Sequence, residues 1–114
     1  MSRLAHWEIP STDMGRSVEF YTSLFRWGTQ QISDDYAMFI TKEGPGGGCF
    51  KADRTNPSCI DIYFAVEDIP KTLSSVELLG GKPVTQKTEI GNDMGYWAAF
   101  EDPCGVKVGI WAKT

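Results

Sequence analysis

The sequence predicts an α+β chain made of two copies of one βαβββ module. Three observations predict it. The order of strand-like and helix-like segments repeats. A shift of 55 residues lays Asp13 on Asp68, Met14 on Ile69, Arg16 on Lys71, Val18 on Leu73 and Leu24 on Leu79. The turn EGPG (43–46) has a counterpart in EDPC (101–104). Agreement of element order together with residues is the mark of an internal repeat.

The first copy opens on LAHWEIP (4–10), a strand pattern. Ser11, Thr12 and Asp13 offer helix N-caps. Met14, Val18, Tyr21 and Phe25 then recur at helical spacing, and Gly28 marks a stop. WGTQQI (27–32), YAMFIT (36–41) and GGCFKA (47–52) are β-like runs separated by turn residues. The second copy opens on CIDIYFAV (59–66). Asp68 is its cap, and Pro70 suits a first helical turn. Ile69, Leu73, Val76 and Leu79 form the stripe, and Gly80 and Gly81 end the helix. KPVTQKTEI (82–90), GYWAAFE (95–101) and GVKVGIWA (105–112) complete the module. Module 1 spans about 4–52 and module 2 about 59–112 of one 114-residue domain. In each, one helix covers one sheet face, and the other face must meet something else. Two such sheets related by a pseudo-twofold form a curved, half-open sheet around a concave pocket, where ligand chemistry would sit.

Composition narrows the function. The formal net charge is -4 and no basic cluster occurs, which argues against nucleic acid and against anionic membrane surfaces. No apolar run approaches the ~20 residues of a membrane span. The start MSRLAHWEIP lacks the apolar stretch of a signal peptide. Cys49, Cys59 and Cys104 are an odd set without paired spacing, read as free thiols in a reducing, cytoplasmic setting. With one histidine and no CxxC, zinc-finger-like sites are excluded. PGGG (45–48) lacks the GK[ST] ending of a phosphate loop and no helix follows it.

His6 and Glu8 stand two residues apart, so both point to one strand face. Their repeat partners are Asp61 and Tyr63. Bare burial of Glu8 or Asp61 would cost too much, so each faces a wet cavity or solvent. Gly109 leaves space, and Trp111 shares its face. For strand 95–101 two readings stay open: Trp97 faces inward, or Tyr96 and Phe100 do.

HWEIPSTDMGRSVEFYTSLFRW, VEDIPKTLSSVELLGGK and MGYWAAFEDPCGVKVGIW together resemble the vicinal oxygen chelate superfamily, which includes glyoxalase I, bleomycin-resistance proteins and extradiol dioxygenases. The resemblance covers nearly the whole chain and implies the glyoxalase/bleomycin resistance fold. It also implies a homodimer. Metal-dependent members take ligands from the first and last strand of each module. By that resemblance the ligand positions fall on His6, on Asp61, on Gly109 and near Lys51, with Cys49 on the same face. Val106 replaces the usual Asn of the family's DPxGN-like turn.

A catalytic metal needs about three protein ligands, and this set falls short. The expectation is therefore no metal and no cofactor. The chain would instead be a metal-independent binder of a small organic molecule, held in an aromatic, acidic pocket of His6, Glu8, Asp61, Tyr63, Trp97, Gly109 and Trp111. The alternatives are a metal-dependent lyase, isomerase or dioxygenase using His6, and a non-catalytic interaction domain with a vestigial pocket. The sequence leaves open whether any reaction is catalysed.

Overall fold

A computed structural model describes residues 2–53 and 60–114. Cys59 and the start of its strand run lie outside the described residues. The elements follow in the order β1 (Leu4–Ser11), α1 (Met14–Phe25), β2 (Gly28–Ser33), β3 (Tyr36–Ile40), β4 (Gly47–Lys51), β5 (Asp61–Ala65), α2 (Ile69–Leu78), β6 (Lys82–Glu89), β7 (Tyr96–Glu101) and β8 (Lys107–Ala112). The βαβββ order thus occurs twice. Two compact units are formed: His6–Asp61, and the residues up to Ala5 together with Ile62–Thr114.

In the first module the strands lie in the order β2-β3-β4-β1. β1 and β4 run parallel, with Trp7 opposite Gly47 and Glu8 opposite Gly48. The β3–β4 and β2–β3 pairs are antiparallel. The second module repeats this as β5-β8-β7-β6, with β5 parallel to β8 and Tyr63 opposite Gly109. The N–H of Ala65 donates to the carbonyl of Arg3 (2.8 Å), which ties the opening residues into this second unit.

The two helices start alike because the same residue caps both. Asp13 (φ -146, ψ 95) accepts from the Arg16 N–H at 3.2 Å, and Asp68 (φ -143, ψ 106) accepts from the Lys71 N–H at 3.0 Å. Each carboxylate satisfies an amide that has no partner within its helix. The ends differ. α2 closes with Gly80 at φ 95, where Gly81 N–H bonds to Val76 O (2.8 Å) and Gly80 N–H to Glu77 O (3.2 Å), a Schellman motif. α1 ends instead on Arg26, left-handed at φ 59, two residues before the expected stop at Gly28. Leu79, expected on the buried stripe, is the C-cap of α2 and 79% exposed. Its position past the last helical residue takes it off the stripe.

Each helix covers one sheet face. Ile69 and Leu73 of α2 meet Ala98, Ile110 and Ala112, with Tyr96 and Phe100 packed alongside. In the first module the helix side is an aromatic cluster in which Phe39 is buried and Phe25 is exposed. Trp27 lies 5.0 Å from Trp7, 4.7 Å from Phe25 and 5.3 Å from Phe39 between ring centroids, and Tyr21 stacks on Trp27. Phe39 is 1% exposed. Offset and tilted ring pairs of this kind add to simple area burial. Much of the aromatic content of the chain is therefore absorbed by the helix side of module 1.

Candidate functional site: the helix-free sheet faces

Strand alternation assigns every candidate residue to a face. In β1, Trp7 points to the helix side, so His6 and Glu8 point away from it. In β4, Gly47 lies beneath the Trp7 ring, so Gly48 belongs with Glu8. In β3, Phe39 packs in the core, so Tyr36 belongs with Gly48. Three polar groups meet on this helix-free face. His6 Nε2 is 3.1 Å from Glu8 Oε2 and 3.1 Å from the Tyr36 hydroxyl. The His6 and Glu8 side chains are 29% and 20% exposed, half-buried rather than solvated. An imidazole held between a carboxylate and a phenol is a hydrogen-bonding unit able to grip a polar ligand group. Sequence reasoning missed Tyr36. Its signal was the repeat of alternation along YAMFI, which puts Tyr36 and Phe39 on opposite faces.

The same alternation settles the second module. Ile110 and Ala98 lie in the α2 core, so Gly109, Trp111, Trp97 and Ala99 point away from it. Trp97 is thus on the helix-free face, and Tyr96 and Phe100 are on the helix side. Tyr63, also on the helix-free face, meets Trp97 edge to face at 6.3 Å between centroids. Trp111 is not in the helix-side core. Its indole N–H donates to the Met94 carbonyl (2.8 Å), which anchors the tight turn before β7. Asp61 opens β5 and is half-buried.

Two expectations are corrected here. Gly109 does not leave an open space: a side chain there would overlap the Tyr63 ring, which lies across the glycine. The ligand-equivalent position in module 1 is not Lys51 or Cys49. Glu8 pairs with Gly48 as Tyr63 pairs with Gly109, so the counterpart of Gly109 is Gly48. Cys49 stands on the opposite face, fully buried beside Ser11, and Lys51 has its parity. The sequence repeat misled because the turns match at a shift of 58 whereas the last strands match at 61. Gly48 repeats the glycine device too, since a side chain there would overlap the Tyr36 hydroxyl.

Among the described residues, no group of three or more His, Cys, Asp and Glu gathers as a metal site. His6 and Glu8 supply two donors. Two donors are fewer than the three protein ligands a catalytic metal takes, so the described residues do not fit one. No described helix is long and apolar enough to cross a membrane. A shallow depression on α1, lined by Arg16, Glu19, Phe20, Ser23 and Leu24, holds none of these groups.

The sequence profile of the Glyoxalase/Bleomycin resistance protein/Dioxygenase superfamily matches residues 3–110. The anthracycline biosynthesis protein DnrV of Streptomyces peucetius is 26% identical over 128 residues, covering 96% of this chain and 46% of that protein. A glyoxylase-like domain-containing protein of Didymella fabae is 27% identical, covering 86% of this chain and 84% of its own. The chain thus spans about half the length of DnrV. Homoprotocatechuate 2,3-dioxygenase of Brevibacterium fuscum superimposes with a TM-score of 0.78 over 98% of this chain and 36% of its own, at 18% identity. That likeness is one of fold.

Proposed function

Because the chain belongs to the glyoxalase/bleomycin resistance protein/dioxygenase superfamily, we propose that it is a metal-independent small-molecule binding protein of that family. One observation carries the reading. Both last-strand positions where metal-dependent members place ligands are glycines, Gly48 and Gly109, and each has a tyrosine ring in the space a side chain would need. The space of a ligand side chain is taken by a ring at Gly109 and by the hydroxyl end of a tyrosine at Gly48.

The ligand chemistry follows from that exchange. Tyr63 and Trp97 offer an edge-to-face aromatic pair to a planar guest. In the other unit, taken by itself, His6, Glu8 and Tyr36 offer donors and an acceptor to a polar or cationic group. Trp111, on the same face, has its N–H engaged by the Met94 carbonyl and offers its ring alone.

The test has two arms. Untagged protein purified without chelator is measured for Zn, Ni, Fe and Mn. Planar and cationic compounds are screened by thermal shift, and hits are titrated against wild type, Tyr63→Ala and Trp97→Ala. The expected result is substoichiometric metal, with binding weakened about 10-fold or more in the aromatic variants. One equivalent of metal that disappears in His6→Ala would replace this reading with a metalloenzyme. Hits that bind all three proteins equally would move the site elsewhere.

A further inference from the structure

Glu8 has less compensation than a half-buried carboxylate requires. Among the described residues its side chain accepts one hydrogen bond, from His6 Nε2 at 3.1 Å. The same contact is its one ion pair among those residues. A carboxylate can accept about four hydrogen bonds. Taking its charge out of water is costly unless other donors replace the water. A neutral imidazole supplies such a donor but no charge. Nε2 faces an oxygen that only accepts, so it carries a proton, and that N–H is directed at Glu8 and Tyr36. What Glu8 keeps toward the open face is acceptor capacity.

The surroundings have one sign. Lys51 is the one lysine or arginine within β1 to β4, and its parity puts it on the helix side with Cys49. An anion on the helix-free face would meet Glu8 with no strand cation to receive it. Apolar surface adjoins the carboxylate. Glu8 stands opposite Gly48, and Gly48 opposite Met38. Phe50 stands opposite Tyr36. Alternation puts Met38 and Phe50 on the helix-free face, since Phe39 and Cys49 are buried on the other, and both are half-buried. Gly48 contributes no side chain to this row, and the hydroxyl end of Tyr36 lies there instead.

We propose that this face of module 1 is the subsite for a hydrophobic ammonium, a protonated primary or secondary amine carrying an apolar body. Glu8 receives the N–H donors, Tyr36 and Phe50 present ring surface to the charge, and Met38 packs against the body. The inference rests on the small-molecule reading above and narrows it to one charge class, against neutral and anionic guests of the same shape.

The experiment compares probes that share one apolar body: 2-phenylethylammonium, the neutral 2-phenylethanol and the anionic 3-phenylpropionate. Each is titrated at constant ionic strength up to about 20 mM, a range suited to fragment-sized ligands. His6 is the one histidine of the chain, so its imidazole proton resonance reports binding beside Glu8 without ambiguity. The ammonium is expected to bind about 10-fold or more tightly than the alcohol, as a charge-assisted hydrogen bond would give, and to move the His6 resonance. The carboxylate probe is expected to bind weakest. Glu8→Gln, checked for folding by circular dichroism, is expected to bring the ammonium down to the level of the alcohol. If Glu8→Gln does not fold, the probe series and the His6 resonance of wild type decide. An ammonium that binds no better than the alcohol, or not at all, overturns the proposal. So does one that leaves the His6 resonance in place or binds Glu8→Gln equally well. The two readings fail separately. A planar compound whose binding depends on Tyr63 and Trp97 sustains the small-molecule reading where the ammonium fails, and one equivalent of bound metal fells that reading by itself.

Discussion

The ring of Tyr63 lies across Gly109, filling the space that any side chain at 109 would require. Tyr36 stands in the same relation to Gly48 in the other module. Each tyrosine therefore depends on a glycine for its seat. The two glycines are not places where the chain needs an unusual backbone; neither has a positive φ. They are places where a strand is shaved to admit a ring.

Gly109→Ala should accordingly destabilise the protein by about 1–3 kcal/mol, the range for overpacking a filled site. Tyr63→Ala should destabilise it too. The double variant should cost less than the sum, because the added methyl then enters vacated space. Urea unfolding of the four proteins measures this coupling. Additive losses would mean that Tyr63 moves aside at little cost.

The helix caps predict matched losses. Asp13→Ala and Asp68→Ala each remove one carboxylate acceptor from an otherwise unpaired amide, Arg16 N–H or Lys71 N–H. Each should cost about 1 kcal/mol, and Asn at either site should recover most of it. Chemical denaturation with a constant m-value is the measurement.

The elements were largely legible in the sequence, and the site only in part. Asp13 and Asp68 announced their helices because capping is a local event, written in neighbouring residues. His6 with Glu8, and Gly109 with Trp111, were each placed on a shared strand face by alternation, which is equally local; which face the helix leaves free was not written there. The error at Lys51 and Cys49 was one of register. Only the pairing of β1 with β4 sets Glu8 against Gly48, and that depends on a loop longer by three residues in the second copy. Tyr36 was missed for a related reason. Its bond to His6 links residues 30 apart, through two strand pairings that no local pattern encodes.

The turn before β7 is held by Trp111. Asn92 and Asp93 both adopt left-handed conformations (φ 54 and 57), between Gly91 and Gly95 at φ 91 and 90. Left-handed backbone is costly for residues with a side chain, so the turn needs an external hold. The indole N–H on Met94 O supplies it. Trp111→Phe keeps the ring and loses the donor, and should cost about 1 kcal/mol. Faster hydrogen exchange at the amides of 91–95, with the α2 core unchanged, would mark the loss as local.

Cys49 should be far less reactive than Cys104. Burial pushes its pKa up, against a smaller opposing effect of its hydrogen bond with Ser11. Cys104 is exposed, in the turn after β7. In a Cys59→Ser background, Ellman's reagent should label Cys104 promptly and Cys49 only at the rate of opening. The same shift carries a pH signature. A thiol whose pKa is raised by folding keeps its proton where the unfolded chain has lost it. Stability is therefore unaffected below the ordinary thiol pKa and falls as pH rises above it. Cys49→Ala should lose stability at neutral pH through the vacated volume, yet show a shallower alkaline decline than wild type. Parallel alkaline declines, or equal labelling of the two thiols in the native protein, would show that Cys49 is not shut into the helix-side core.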